Sequence, residues 1–206
     1  MGFATYTELK TSIASYLGRS DLTSVIPDFI TFAEIRLARE IRTRQTLKIA
    51  TATMTAGDST VGLPTDFLEM RDIFTQGNPR NTISYLSPSL FSSNARAGES
   101  GLPVYYTIIG EEIQFAPQPD SAYVVEMLYY YKPTPLSTSV ASNAYLANFP
   151  DALLYASLAE AEPYLMNDAR VQTWATLYDR ATSDINGSDE SSEYAGVPLT
   201  MQLTSR

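Results

Sequence analysis

The stretch Gly101–Pro133, GLPVYYTIIGEEIQFAPQPDSAYVVEMLYYYKP, constrains the fold more than any other, because it joins a complete β pattern to turn chemistry. β-Branched and aromatic residues fill Tyr105–Ile109 and Ile113–Ala116, and Gly110-Glu111-Glu112 between them has the spacing of a tight hairpin. Pro117 and Pro119 then fix φ and remove backbone donors, so the ladder must stop there. From Tyr123 to Lys132 the side chains alternate. Tyr123, Val125, Met127, Tyr129 and Tyr131 share one face, while Val124, Glu126, Leu128, Tyr130 and Lys132 share the other. One wholly apolar face and one mixed face suit a sheet with a core on one side and a contact surface on the other. The segment reads as a three-stranded meander with Glu111 and Glu112 at its hairpin tip.

Helical patterns bracket this region. Thr5-Tyr6-Thr7-Glu8 fits a capping box, Leu9, Ile13, Tyr16 and Leu17 follow at helical spacing, and Gly18 is a C-terminal stop, so a helix is predicted over about 6–17. Pro27 opens a second helix, predicted over Pro27–Arg44, with Ile30, Ala33, Leu37 and Ile41 on one stripe. After Lys48 the pattern alternates, with Ile49, Thr51, Thr53 and Thr55 opposing Ala50, Ala52, Met54 and Ala56 up to a turn at Gly57-Asp58. Pro64 ends one strand and Met70–Phe74 resumes an extended run. Residues 76–101, rich in Gly, Ser, Asn and Pro, read as a long loop with one short strand near Thr82–Leu86. Leu136–Ser142 reads as a polar linker. Asn148 then caps a helix beginning at Pro150, with Leu153, Leu154, Ser157, Leu158 and Ala161 on its buried side, and Pro163 kinks or ends it. Asn167 caps a last helix, whose stripe Val171, Trp174, Leu177, Tyr178, Ala181 and Ile185 runs to a stop at Gly187. In Ser188–Arg206, Val197, Leu199, Met201 and Leu203 alternate as a strand added to a partner surface would. The expected fold class is α+β: a helical bundle formed by N- and C-terminal helices (1–47 and 143–187), an inserted antiparallel β domain (48–142) and an extended C-terminal tail (188–206).

Cysteine and histidine are both absent, which removes disulfides, thiolate nucleophiles, the usual zinc ligands and the commonest general base. No phosphate loop is present, since Gly57 to Gly62 is followed by Leu63-Pro64 rather than Lys and Ser/Thr. Asp184, Asn186, Asp189 and Glu190 match a calcium loop only loosely, because Gly187 is misplaced for one. Glu111 or Glu112 with Asp120 has the residue types of a glycosidase pair, but adjacent strand glutamates point to opposite faces and hairpin tips display charge anyway. The reading is therefore a non-enzyme with no cofactor and no metal. No run of 18 apolar residues and no signal-peptide pattern at the N-terminus is present, so the expectation is a soluble product made in a cytoplasm, with no membrane partner.

A net charge of −9 argues against gripping nucleic acid by its phosphates, yet suits a wall past which DNA slides. The main cationic cluster is Arg36, Arg39, Arg42, Arg44 and Lys48. It reads either as complementing a helix C-terminus and pairing with Glu34 and Glu40, or as a basic patch facing an acidic subunit or DNA.

Leu63-Pro64-Thr65-Asp66-Phe67-Leu68-Glu69 with Arg71, then Gly101-Leu102-Pro103 with Tyr105 to Gly110, then Phe115-Ala116-Pro117-Gln118-Pro119-Asp120, Tyr129-Tyr130, and Pro150-Asp151 through Tyr155 follow one another in an order that resembles the head-to-tail adaptor proteins of short-tailed and related bacteriophages. Pro163 departs from that pattern, since such proteins commonly continue a helix there. The resemblance implies a structural virion protein, a homo-oligomeric, dodecameric ring in the neck between capsid and tail, assembled in the host cytoplasm. Its implied partners are the portal protein, a tail or nozzle protein, and passing DNA bound without sequence specificity. By position, Val197, Leu199, Met201 and Leu203 would contact the portal, and Glu111 and Glu112 would face the tail. The alternatives are a tail or baseplate carbohydrate-binding module using the tyrosines of Tyr123–Tyr131, and a peptidoglycan hydrolase using Glu111 or Asp120.

Overall fold

Reciprocal capping opens the first helix: the Glu8 N–H donates to the Thr5 hydroxyl at 3.3 Å, and the Glu8 carboxylate accepts from the N–H groups of Ala4 and Thr5. The structure, a computed structural model, describes residues 3–77, 79–94, 99–165 and 168–193. It is a mixed α+β protein, with six α-helices and two mainly antiparallel sheets among the described residues. The chain divides into two units, Met1–Gln45 with Pro133–Arg206, and Thr46–Lys132.

In the first unit, helix α1 (Tyr6–Leu17) ends at Gly18, whose φ of 65° places it in the left-handed region that glycine adopts without strain. Helix α2 covers Ile26–Glu40, four residues short of the predicted Arg44. At its end Ile41 turns extended and buried, and the Arg42 guanidinium donates to the carbonyls of Ala38 and Ile41 at 2.8 and 2.9 Å. Those bonds satisfy carbonyls that a further helical turn would otherwise occupy. A short 3-10 turn follows at Arg44–Thr46.

The predicted linker at Leu136–Ser142 is tied down rather than free: Glu34, buried in α2, accepts from the Leu136 N–H at 3.1 Å and from Asn143 Nδ2 at 2.6 Å. The helix beginning at Pro150 follows Phe149 with no side-chain cap, so Asn148 does not cap it; the capping residue in this region is Asn143, one short helix earlier. Its side chain accepts from Leu146 N–H and opens the short helix α4 (Ala144–Asn148), which the polar composition concealed. Helix α5 (Pro150–Tyr164) is buried on almost every side, through Ala152, Leu153, Leu154, Ala156, Ser157, Leu158, Ala159, Ala161 and Glu162. It packs on α1, α2, α4 and α6, as a helix apolar all round must. Pro163 lies in its last turn, which closes at Leu165. Helix α6 (Asp168–Glu193) presents the expected stripe but does not stop at Gly187. The tail expected to be extended from Ser188 is helical to Glu193. Two side chains of its last turns explain the continuation: Asn186 donates to the Glu40 carbonyl and Asp189 accepts from Arg44, so packing overrides the glycine. The expected Asn167 cap lies outside the described residues.

In the second unit, strands β1 (Leu47–Met54), β2 (Thr60–Gly62), β3 (Phe67–Thr75), β4 (Asn81–Thr82), β5 (Ser84–Tyr85), β6 (Tyr105–Ile109), β7 (Glu112–Ala116) and β8 (Tyr123–Tyr131) form two sheets. Their orders are β1-β8-β3-β4 and β2-β7-β6-β5. The three strands of Gly101–Pro133 are therefore not one meander. Strands β6 and β7 form the hairpin, but β8 lies in the other sheet between β1 and β3. Both edges of β7 are already taken, by β6 and β2, and Gln118 and Pro119 are bonded to the backbone at Gly57 in the β1–β2 turn, so the chain is carried across. The alternating face of β8 turns Val125, Met127 and Tyr129 into one core with Met54, Ile73, Tyr106, Ile113 and Phe115. Within the predicted loop 76–101, β4 and β5 form one bent run that passes from one sheet to the other, with Ile83 between them donating to the Ile73 carbonyl and buried. A short helix α3 (Pro88–Asn94) follows, with Phe91 buried; seven serine-rich residues give too few turns for a periodic signal.

Candidate functional site

Along α2, Phe32, Ile35, Arg36 and Arg39 recur at i, i+3, i+4 and i+7, which places them on one helix face. With Glu40 and Glu160 they line a hollow of about 490 Å³, and Phe32 is 54% exposed. Arg36 is held there by Glu40 at 3.5 Å and Glu160 at 3.7 Å, and its guanidinium stacks 4.3 Å from the centre of the Tyr178 ring. The Tyr178 hydroxyl donates to Glu40 at 2.7 Å, and burial together with that bond pushes the phenol well above its ordinary range. Arg42 caps α2. Arg44 offers both its backbone N–H and its Nε to Asp189, at 3.2 and 3.0 Å. Three of the four predicted patch arginines are thus engaged by their own chain, though Arg44 stays exposed, and the exposed Arg39 lines the hollow. Asp184, Asn186, Asp189 and Glu190 all lie on α6, with Asn186 and Asp189 used in the contacts to Glu40 and Arg44.

In the β unit, Glu111 and Glu112 are exposed at the β6–β7 tip, where Gly110 takes a φ of 64°. The tip is tethered, because the Glu111 carbonyl accepts from the Leu63 N–H at 2.9 Å. Asp120 lies beyond the far end of β7 and accepts from the Tyr123 hydroxyl. A strand of that length separates its ends by about 13 Å, more than the spacing of a glycosidase pair. Of the tyrosines of β8, Tyr129 is buried and Tyr123 and Tyr131 pack against the core, while Tyr130 lies half-buried on the opposite face of the strand.

Asp66, which the sequence presents only as one member of the Leu63–Glu69 run, ties three segments together. Its carboxylate accepts from Lys48 Nζ at 2.6 Å and from the Tyr129 hydroxyl at 2.9 Å, and its carbonyl accepts from Lys132 N–H. Burial pushes the Asp66 carboxyl up, but Lys48 and Tyr129 outweigh it and hold the group below its ordinary value. Tyr129 is pushed up to about 12 by burial and by the same bond.

Val197, Leu199, Met201 and Leu203 lie outside the described residues. Among those described, no helix is long and apolar enough to cross a membrane. In comparison with known proteins, a family model described as SU10 adaptor protein matches residues 4–202, and no curated protein matches the sequence.

Proposed function

The chain belongs to the SU10 adaptor protein family, a phage structural adaptor, and from that premise we propose that it forms the head-to-tail adaptor ring of a phage neck, joining portal to tail and lining part of the DNA conduit. The observation that carries the reading is the extent of the match, which takes in both the helical and the β unit. Each unit also exposes large apolar side chains of the kind that protein interfaces cover: Tyr16, Phe32 and Tyr164 on the helices, and Tyr85, Val104, Tyr105 and Ile109 on the β unit. On this reading the helical unit builds a dodecameric ring, with Phe32 and Arg39 of the α2 hollow among its subunit contacts. Val197, Leu199, Met201 and Leu203 meet the portal, and the β unit, with Glu111 and Glu112 at its tip, faces the tail. Assembly takes place in the host cytoplasm and the ring ends in the virion neck. An acidic chain whose arginines are largely paired internally suits passing DNA, because it repels phosphate rather than holding it. Electron microscopy of the purified chain mixed with portal particles tests this. Rings seated on the tail-side face of the portal are expected, and bare portal particles at saturating chain would overturn it.

A further inference from the structure

The two sheets of the β unit part along one side. On β3 only Phe74 and Thr75 pair with β4, and on β6 only Tyr105 and Tyr106 pair with β5. The bent run that forms β4 and β5 is short, and the chain leaves it for α3 at Pro88. Among the described residues no strand covers that side of β3 before Ile73, or of β6 after Tyr106. The backbone direction is fixed. Leu86 N–H donates to the Tyr106 carbonyl, so the two-residue period of the strand turns the N–H and carbonyl of Ile108 to the same open side. The opposite edge of β6 is occupied by β7. Beside the two unpaired edges lies a hollow of about 460 Å³, lined by the apolar Phe67, Leu68, Met70 and Ile108, by Tyr106 and the 55% exposed Tyr85, and by the charged Glu69 and Arg71, while α3 packs against another part of β6.

A strand edge left without a paired neighbour, above a mainly apolar wall that also carries Glu69 and Arg71, fits another strand: its backbone pairs with the edge and every second side chain enters the hollow. From Tyr106 to Gly110 the edge runs about 13 Å, room for about four extended residues. The open end lies towards the acidic tip at Glu111 and Glu112, and the whole chain carries a net charge of −9, which favours a cationic segment over a second copy. We propose that this opening takes an extended peptide of another virion protein, alternating in apolar side chains and bearing Lys or Arg at the end that reaches the tip, added as a strand along β6. The proposal rests on the adaptor reading and gives the tail-side contact a mode and a chemistry.

Hydrogen exchange at the Ile108 amide, followed by mass spectrometry in purified rings and in whole virions, tests it. Fast exchange in the rings at every concentration, slowed by at least about tenfold in the virion, is the expected result. Ile108→Pro removes the N–H on the open side and leaves the β7 side paired, whereas Ile108→Val keeps it. The proline variant is expected to form rings that dock on the portal but fail to retain the tail-side protein, and the valine variant to retain it. Equal exchange in rings and virions would overturn the proposal while leaving a portal-docked ring intact. Protection that rises with the concentration of the purified chain would assign the opening to a second copy and also overturn it.

Discussion

Glu34 is a carboxylate only 5% exposed in the middle of α2, and burying such a group is costly unless donors surround it. The Leu136 N–H and the Asn143 amide supply them, which binds the segment after β8 to the helical unit. Glu34→Ala leaves both donors without their acceptor and is expected to lower stability by about 1–3 kcal/mol in urea unfolding, with Glu34→Gln milder because one acceptor oxygen remains. Asp66 makes a pH-dependent counterpart. Its carboxyl is held below its ordinary value in the folded chain, so on acidification the unfolded chain takes up the proton first. The stability it contributes is present above about pH 4, the ordinary carboxylate value, and is lost as the pH falls through the lower folded value. Unfolding midpoints measured on acidification should fall more steeply for the wild type than for Asp66→Asn. Tyr129 acts in the opposite direction: its raised value of about 12 means that its contribution holds below about pH 10, the ordinary phenol value, and is lost between the two.

At the scale of elements, most of what could be read locally was readable. The capping box at Thr5 and Glu8, the left-handed Gly18, the Val171–Ile185 stripe and the inward face of β8 each depend on residues within a few positions of one another. What stayed hidden depends on distant partners. Alternation fixes which way the β8 side chains point but not which strands flank them, so the local pattern predicts β8 beside the hairpin while it lies between β1 and β3. Gly187 looks like a stop until Arg44 and Glu40, some 145 positions earlier, are brought beside Asp189 and Asn186. The candidate surfaces were legible to the same degree: the arginines could be named, but not Glu160, Tyr178 or Asp189, which hold them. Gly187 also gives a direct check. A Cβ there meets nothing within 4 Å and the backbone is helical, so Gly187→Ala should stabilise α6 by about 0.5–1 kcal/mol, seen as slower amide exchange in residues 184–193. A glycine acting as a left-handed stop would respond with a loss.

For the whole molecule, the consequence is a division of tasks. The apolar core of each unit is closed within itself, and large side chains are left outside it, Phe32, Tyr16 and Tyr164 among them on the helices. Phe32→Ser should therefore change the unfolding free energy of the isolated chain by no more than about 0.5 kcal/mol, while shifting a ring towards smaller species in mass photometry. An equal loss of fold and assembly would place Phe32 in the core of the chain instead. The central claim is that this chain closes into a ring that carries the portal on one side. Its most direct test is the native mass of the purified 22.7 kDa chain, alone and with portal particles. A complex containing a closed ring of the chain, a dodecamer, on each portal is the expected result. A chain that stays monomeric in the presence of portal, with no mass added to the particle, would contradict it.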